Sequence, residues 1–414
     1  MRIGIEAQRV FRQNKHGMDY VVLQEIKELQ TMDTKNEYFV FVAPGEDRCL
    51  EDSKNFHIFE IGGNFYPLWE QFTLPKAVNE LNLDILHCTS NTAPIRCKIP
   101  LILTLHDIIF LEPRDKNNKS LYQNMGWLYR RLVVPRILKK CKKIITVSDF
   151  EKNNIMTKLG IPEERMAMIY NGYNEWFKPV HDIQHIYQRY IDSPGYFFFL
   201  GNTDPKKNTE RTLIAYSRYL EKSIVKRKLL MADLDQAYLD GIIDRNHIEN
   251  ISNYIVMPGY IVNKDLPFIY NSAFAFLYTS LRESFGIPLL EAMASGTPVI
   301  TSSTSSMPEI AGRNAILVNP ENPDEIAEKM LQLENDDDFY SRQEKIGLER
   351  AKIFSWRQTA EQLLAVYESV YNHYRLRKQI KREVYSGLLF FFFYSMGFLE
   401  LYHQLAGIGI VLGV

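Results

Sequence analysis

The sequence of 414 residues lacks most features that mark specialised classes of protein. Its four cysteines, Cys49, Cys88, Cys97 and Cys141, are scattered and form neither a C-x-x-C pair nor a zinc-binding spacing. This pattern favours reduced thiols in a cytosolic protein over a disulfide framework or a metal site. Because the net charge is only −1, no global field would attract nucleic acid or a membrane, and any anionic partner must be held by a local cluster.

Targeting segments and long apolar runs are also scarce. Glu6, Gln8 and Arg9 interrupt the apolar N-terminal residues, which a signal peptide would not tolerate. The C-terminal end is different, because the basic segment RLRKQIKR (375–382) precedes apolar residues 387–399. That apolar run is shorter than the roughly 20 residues of a spanning helix. We expect 375–414 to be a basic, then apolar tail that either contacts a membrane surface or packs on the body as an amphipathic helix.

Short apolar runs alternate with segments of helical period throughout most of the chain. The runs are continuous rather than alternating, as is typical of parallel strands covered on both faces. Two such series are separated by a turn-rich segment near 175–195. The pattern predicts an α/β fold of two Rossmann-like, doubly wound domains that face a cleft. We assign residues 1–180 to the first domain, 195–355 to the second and 356–374 to a closing amphipathic helix.

The segment RESFGIPLLEAMASGTPVI (282–300) follows an apolar strand of the second series. Pro288 suits the first turn of a helix, and Gly286 lets the backbone approach a ligand closely. A helix start carries partial positive charge and free amide groups, so it can bind phosphate. The residues that we expect to face this phosphate are Ser284, Phe285, Gly286 and Ile287.

Two acids flank this helix start, Glu283 in the loop and Glu291 one turn into the helix. Hydroxyl groups at both ends of a ligand with a central phosphate would match them. A nucleotide sugar has that shape. The alternative from these residues alone is an ordinary strand, loop and helix with two surface acids.

Three further motifs follow predicted strands. FLGNTDPKKN contains the turn former Asn202 and two cations, Lys206 and Lys207, which could hold a diphosphate and neutralise it as it departs. TLHDI places His106 at the end of a first-series strand, where it could bind a substrate hydroxyl. Gly17 lies in the predicted loop between the first strand and the first helix, another candidate anion site. Each motif alone is equally consistent with a structural role.

Together these motifs resemble the E-x7-E region of the retaining glycosyltransferases of family 4, which have the GT-B fold. The similarity extends to MPGYIVNKDLPFIYNSA before the E-x7-E segment and to SSMPEIAG and AILVNP after it. The order of the other motifs is also that of the family: the Gly17 loop, TLHDI, DPKKN and the closing helix, which begins at the residues FSW (354–356). The resemblance covers about residues 1–374, and it implies that the closing helix returns to the first domain.

The resemblance also implies roles for the second-domain residues. Glu291 would bind the ribose hydroxyls of the donor, and Glu283 would contact the transferred sugar. Phe285 and Gly286 would lie against sugar and phosphate. Lys207 would match the diphosphate-binding lysine of the family.

Three other positions follow from the same resemblance. His106 would contact the sugar near the anomeric centre, and Gly17 would let its loop approach the diphosphate. Many members carry an arginine where this chain has Asn202, so Lys206 is the candidate replacement for that cation.

The resulting expectation is a hexosyltransferase that moves sugar from a nucleoside diphosphate sugar to a glycan or lipid-linked glycan, with retention, in surface polysaccharide synthesis (O-antigen or capsule). It would need no metal and no cofactor. It would act in the cytoplasm, and at the inner face of the membrane if the basic segment YRRLVVPRILKKCKK (129–143) and the tail 375–414 bind anionic lipid. The pattern Asp233-x-Asp235 reads as a surface turn rather than a metal site. The alternatives are a nucleotide-sugar epimerase of the same architecture and a non-catalytic, membrane-associated binding protein.

Overall fold

The computed structural model describes residues 1–395, except 14, 16, 64, 113–120, 181–183 and 233. Its first half contains one parallel sheet of seven strands in the order β3-β2-β1-β4-β5-β6-β7. The strands are β1 (Arg2–Glu6), β2 (Glu37–Val42), β3 (Phe56–Glu60), β4 (Ile85–Cys88), β5 (Leu101–Thr104), β6 (Lys143–Thr146) and β7 (Met166–Met168).

The second half contains a separate parallel sheet of six strands in the order β10-β9-β8-β11-β12-β13. These strands are β8 (Tyr196–Phe199), β9 (Leu229–Met231), β10 (Ile255–Val256), β11 (Ala273–Tyr278), β12 (Val299–Ser302) and β13 (Ile316–Val318). The predicted fold of two Rossmann-like domains is therefore confirmed.

Helices connect the strands and cover both faces of each sheet. In the first half they are α1 (Gly17–Met32), α2 (Tyr66–Leu68), α3 (Leu74–Glu80), α4 (Leu121–Leu138) and α5 (Asp149–Leu159), with a π-helical turn at Trp69–Thr73. In the second half they are α6 (Gln184–Tyr187), α7 (Thr209–Lys222), α8 (Gln236–Asn246), α9 (Leu266–Ser272), α10 (Ile287–Ala294), α11 (Met307–Ala311), α12 (Pro323–Asn335), α13 (Asp337–Ala351) and α14 (Trp356–Ser395).

Alternate residues of each central strand enter different cores, which explains the continuous apolar runs. In β2, Phe39 and Phe41 pack on one face of the sheet, whereas Tyr38, Val40 and Val42 pack on the other. Successive side chains of a strand point to opposite faces, so a sheet that is buried twice needs apolar residues at every position.

The last helix, α14, joins the two halves of the molecule. It starts after the second domain, and its buried residues Ala360, Leu363, Tyr367 and Val370 complete the core of the first domain beside β1 and α1. At 1.5 Å per residue its 40 residues extend about 60 Å. The helix therefore continues through the basic segment that we assigned to a tail.

Several local expectations can be compared with this structure. Ser148 caps α5 by accepting a 3.2 Å hydrogen bond from the Glu151 amide, and Gly160 ends that helix in the left-handed conformation. Asp235 caps α8, while its predicted turn partner Asp233 lies outside the described residues. The four cysteines, all in the described part of the chain, are free thiols. Among the described helices, none is both long and apolar enough to cross a bilayer.

Candidate active site

The predicted site residues lie at the carboxyl ends of the central strands. In each sheet the strand order reverses beside the first strand of the domain, between β1 and β4 in one sheet and between β8 and β11 in the other. Ligands of doubly wound sheets bind at such reversals. The loop after β8 carries Lys207, and the loop after β11 carries Glu283. The Leu281 amide donates to the Lys206 carbonyl at 2.7 Å and joins these two loops.

Lys207 and Glu283 form an ion pair at the centre of this region. The lysine Nζ lies 2.6 Å from the Glu283 Oε1, although the two residues are 76 positions apart in the chain. The same ammonium lies 5.6 Å from the centre of the Tyr278 ring. The side chains are only 21 % and 14 % exposed, so solvent screens their interaction weakly. A cation and a carboxylate are thus held side by side at the edge of the sheet.

Gly286 shapes the start of α10 next to this pair. Its φ of +102° is a conformation that side-chain-bearing residues rarely adopt. A β-carbon at this position would also lie 2.8 Å from the Met307 Cε. Glycine therefore allows the turn that brings the amide end of α10, which starts at Ile287 as predicted, into the same region as Lys207 and Glu283.

Glu291 lies one turn into α10 and is partly buried. Burial raises the pKa of its carboxyl from 4.5 to about 8, and the neighbouring Tyr270 hydroxyl offsets part of this effect. Its charge also adds to the burial that raises the pKa of Tyr20, a residue of α1 in the first domain. Glu291 therefore lies close enough to α1 for its charge to act on Tyr20, and its raised pKa favours the protonated form at neutral pH.

The side chains of Lys206 and Asn202 contact Asp204 rather than the Lys207–Glu283 pair. The Lys206 Nζ lies 3.5 Å from a carboxylate oxygen of Asp204, the residue that caps this turn. The Asn202 Oδ1 accepts a 2.8 Å hydrogen bond from the Asp204 amide. Both residues thus stabilise the turn that presents Lys207, and a phosphate-binding role for either one stays a prediction.

The structure corrects the way in which Phe285 and Ser284 could act. The Phe285 ring is 4 % exposed and packs against Tyr170 and Phe354, so it belongs to the core and cannot lie against a sugar. The Ser284 carbonyl accepts a 2.8 Å hydrogen bond from the Ser148 hydroxyl of the first domain. A ligand could therefore reach these residues only through their remaining backbone groups or the Ser284 side chain.

His106 follows β5 and is buried at the first-domain side of the cleft. Its Nε2 lies 3.0 Å from the Thr89 carbonyl, and its amide donates to the Asn91 side chain at 2.6 Å. A carbonyl only accepts, so Nε2 carries the proton and Nδ1 is left as an acceptor for a ligand hydroxyl. Burial lowers the pKa of His106, which keeps the ring neutral.

Gly17 is the first residue of α1 rather than part of the preceding loop, which corrects the sequence assignment. A β-carbon at Gly17 would meet open space, so packing does not require glycine there. The first turn of α1 lies close to two candidate residues, since Asp19 influences the pKa of His106 and Tyr20 is influenced by Glu291. The start of α1 is therefore near both His106 and Glu291.

Contacts between the domains include residues that the sequence interpretation missed. Arg282, directly before Glu283, places its Nη1 2.5 Å from the Glu151 Oε1 in α5. Glu309 in α11 accepts hydrogen bonds from the Asp149 and Phe150 amides, at 2.7 and 2.9 Å, and so caps α5 from the other domain. The residue types gave no signal, because the partners are more than 130 positions apart and each reads as a local surface charge.

Two family models match the chain on either side of the domain break. The model described as "Glycosyltransferase Family 4" matches residues 16–176, and that described as "Glycosyl transferases group 1" matches residues 186–350. The chain belongs to glycosyltransferase family 4. The family assignment from the E-x7-E region is thereby confirmed, and this protein is a glycosyltransferase.

Relatives of this glycosyltransferase include enzymes named for mannose transfer. It is 29 % identical over 281 residues to O-antigen chain mannosyltransferase B of Escherichia coli, which covers 64 % of this chain and 70 % of that protein. It is 27 % identical to O-antigen chain mannosyltransferase RfbU of Salmonella typhimurium, over 54 % of this chain and 59 % of that protein. The glycosyltransferase thus spans less than two thirds of RfbU.

Solved structures of the same fold are more distant in sequence. Sucrose-phosphate synthase from Thermosynechococcus elongatus superposes with a TM-score of 0.70 at 18 % identity, over 90 % of this chain and 99 % of that one. Anabaena HepE in complex with UDP gives a TM-score of 0.68 at 17 % identity, over 89 % and 100 %. At these identities the similarity shows the fold, and it confirms the GT-B architecture.

Proposed function

We propose that this glycosyltransferase transfers a mannosyl group from a nucleoside diphosphate sugar to a growing polysaccharide acceptor, with retention at the anomeric carbon. The observation that carries the proposal is the Lys207–Glu283 pair, 2.6 Å apart beside the amide end of α10. This pair places a cation that can bind phosphate beside a carboxylate that can accept hydrogen bonds from sugar hydroxyls. The choice of mannose rests on the names of the relatives.

The donor would lie across the second domain with its diphosphate at the start of α10. Glu291, one turn further along the helix, would accept hydrogen bonds from the ribose hydroxyls. Glu283 would bind hydroxyls of the transferred sugar. The ligand replaces part of the interaction between Glu283 and Lys207, because the ammonium is then needed by the phosphate.

Transfer would proceed as the sugar–phosphate bond breaks and the bond to the acceptor oxygen forms. Lys207 and the helix start would stabilise the negative charge that collects on the departing diphosphate. His106, neutral and with Nδ1 as an acceptor, would orient a sugar hydroxyl at the first-domain side. We propose that these groups suffice without a metal or cofactor, so activity should survive treatment with EDTA.

A binding screen followed by product analysis tests this function. Thermal shifts measured with GDP-mannose, UDP-glucose, ADP-glucose and TDP-glucose should identify one donor, with GDP-mannose expected. Glu291→Gln and Lys207→Met should weaken the shift, whereas Arg245→Gln, in an exposed ion pair with Glu210, should not. Conversion of donor to a stereoisomeric nucleotide sugar without acceptor would instead identify an epimerase, and binding without turnover would identify a non-catalytic protein.

We also propose that the acceptor is carried by a lipid and that the first domain docks on an anionic membrane. Helix α4 and the segment 65–73 pack together, since the Gln71 Nε2 donates to the Tyr129 hydroxyl at 2.8 Å. Each presents exposed apolar residues at positions i, i+3 and i+7. This helix-pair surface consists of Phe65, Leu68, Phe72, Met125, Leu128 and Leu132. The exposed cations beside it are Arg131, Arg136, Lys139 and Lys140.

Apolar residues beside cations are typical of proteins that bind at the interface of anionic bilayers. Co-sedimentation with phosphatidylglycerol vesicles should exceed that with phosphatidylcholine vesicles. The double substitution Phe72→Ser and Leu128→Ser should abolish the difference, whereas Ile224→Ser, at a 96 % exposed position in the second domain, should not. Unchanged sedimentation of the double variant would refute the membrane assignment, and loss of a dimer instead would identify a protein interface.

A further inference from the structure

The two residues that flank Glu283 are both held by the first domain. On one side, Arg282 pairs with Glu151 of α5 at 2.5 Å and lies 3.6 Å from a carboxylate oxygen of Glu112. On the other side, the Ser284 carbonyl accepts the hydroxyl of Ser148 at 2.8 Å. The loop that carries Glu283 is therefore fixed on both sides by residues more than 130 positions earlier in the chain.

The Arg282–Glu151 pair is buried between the domains. The Glu151 side chain is 0 % exposed and that of Arg282 is 15 % exposed, and the guanidinium lies 4.9 Å from the centre of the Phe150 ring. A carboxylate in such a place is stable only beside a cation, because desolvation of an isolated charge is expensive. Separation of the domains would break this pair and expose both partners to water. The pair therefore forms only when the domains are together.

The same guanidinium also contacts the backbone of the candidate catalytic residue. The Arg282 Nη1 donates to the Glu283 carbonyl at 3.1 Å, and the Ser306 hydroxyl donates to that carbonyl at 2.9 Å. The Glu283 amide in turn donates to the Ser305 hydroxyl at 3.1 Å. Ser305 and Ser306 belong to the second domain, so among these contacts Arg282 alone links the Glu283 backbone to the first domain.

We propose that Arg282 is a positioning residue that couples closure of the two domains to the placement of Glu283. When α5 meets the second domain, Glu151 holds the guanidinium, and the guanidinium holds the Glu283 carbonyl. The Glu283 carboxylate then lies beside Lys207, ready for the sugar. This inference rests on the proposed donor site, but it adds the statement that the site is complete only when the domains are closed.

Arg282→Gln tests the coupling, with Arg245→Gln as the matched control. Arg245 forms an ion pair with Glu210 at 2.8 Å within the second domain, far in the chain from the loop that carries Glu283. With GDP-mannose as donor and octyl α-mannoside as acceptor, we expect kcat of Arg282→Gln to fall about 100-fold, the size expected for a misplacement of about 1 Å. The KM for GDP-mannose should change less than kcat, because the proposed contacts of Lys207 with the diphosphate and of Glu291 with the ribose remain.

Two further measurements separate positioning from a merely structural role. An incompletely closed cleft admits water, so hydrolysis of GDP-mannose to free mannose and GDP should rise relative to transfer. Small-angle X-ray scattering should give a larger radius of gyration for Arg282→Gln than for Arg245→Gln. The scattering comparison needs no substrate, so it tests domain closure even if the assignment of the donor is wrong. A wrong donor assignment would show separately, because the wild-type protein would then bind none of the nucleotide sugars.

Arg282→Gln leaves the buried Glu151 carboxylate without its partner and could therefore misfold. The double variant Arg282→Met with Glu151→Leu avoids this risk, because proteins in which apolar residues replace a buried ion pair usually fold. Its kcat should remain low, because no guanidinium then links Glu151 of the first domain to the Glu283 carbonyl. Recovery of wild-type kcat in this double variant would show that the pair only fills space and would overturn the proposal. It is also overturned if Arg282→Gln matches Arg245→Gln in kcat, hydrolysis ratio and radius of gyration.

Discussion

The raised pKa of Glu291 predicts that donor affinity increases with pH. At a pKa of about 8, roughly one-tenth of the carboxyl is ionised at pH 7 and roughly nine-tenths at pH 9. The ionised form accepts hydrogen bonds from both ribose hydroxyls more strongly than the acid does, because charge-assisted bonds are the stronger ones. If binding selects that form, affinity should rise about tenfold from pH 7 to pH 9, which is about 1.4 kcal/mol.

Isothermal titration with GDP across this range measures the effect directly. Glu291→Gln keeps the shape of the side chain but cannot ionise, so its affinity should be weaker at pH 9 and nearly independent of pH. The variant is the necessary control, because any pH effect of the ligand or of other residues persists in it. An identical pH profile in wild type and variant would refute the assigned role of Glu291.

The raised pKa of Glu291 also predicts that the stability of the free protein decreases as pH rises, whereas donor affinity increases. Its folded pKa lies above its ordinary value of 4.5, so the folded state binds the proton more tightly than the unfolded state. Stability from this group is therefore greatest below pH 4.5 and is lost as pH rises toward 8. Glu291→Gln should accordingly melt at a higher temperature than wild type at pH 9, as expected of a site that sacrifices stability for function. Equal melting temperatures at pH 9 would contradict the raised pKa.

Three substitutions and one control substitution test other parts of the structure. Lys207→Met should lower kcat/KM by about 10²–10³-fold, the usual effect of removing one group that stabilises transition-state charge, and steady-state kinetics measures it. Gly286→Ala should lower the free energy of unfolding by about 1–3 kcal/mol in urea, because of its positive φ and the contact with Met307, whereas Gly17→Ala should have little effect. Tyr367→Phe removes a 2.8 Å hydrogen bond to a buried histidine and should cost about 1–3 kcal/mol in the same assay; no loss would mean that this hydrogen bond does not help to dock α14.

The strands and most helices were predictable because their signals are local. Continuous apolar runs marked the strands other than β7, and Pro288 marked the start of α10 through its own backbone preference. β7 was not predicted, although it is no shorter than β9 and β13, which have three residues, or β10, which has two. The π-helical turn at Trp69–Thr73 was also unforeseen, because nothing in its residue types distinguishes it from a regular helix.

The site was predictable in its components but not in its pairings. The E-x7-E spacing pointed to Glu283 and Glu291, and the DPKKN turn pointed to the lysines. Nothing local distinguishes Lys207, which pairs with Glu283, from Lys206, which pairs with Asp204. Glu151 follows the N-cap Ser148 by three residues, a local capping-box spacing, yet its carboxylate binds an arginine of the other domain. Such pairings depend on how two sheets meet, and this information is spread over the whole chain.

The path of α14 has a consequence for synthesis of the protein. The first domain lacks Ala360, Leu363, Tyr367 and Val370 in its core until α14 arrives. Domains generally fold as units from the N-terminus during translation, but here the N-terminal unit must wait until the whole second domain and residues 356–370 have left the ribosome. In the meantime an apolar surface beside β1 and α1 stays uncovered. The nascent first domain should therefore be a preferred substrate for ribosome-associated chaperones.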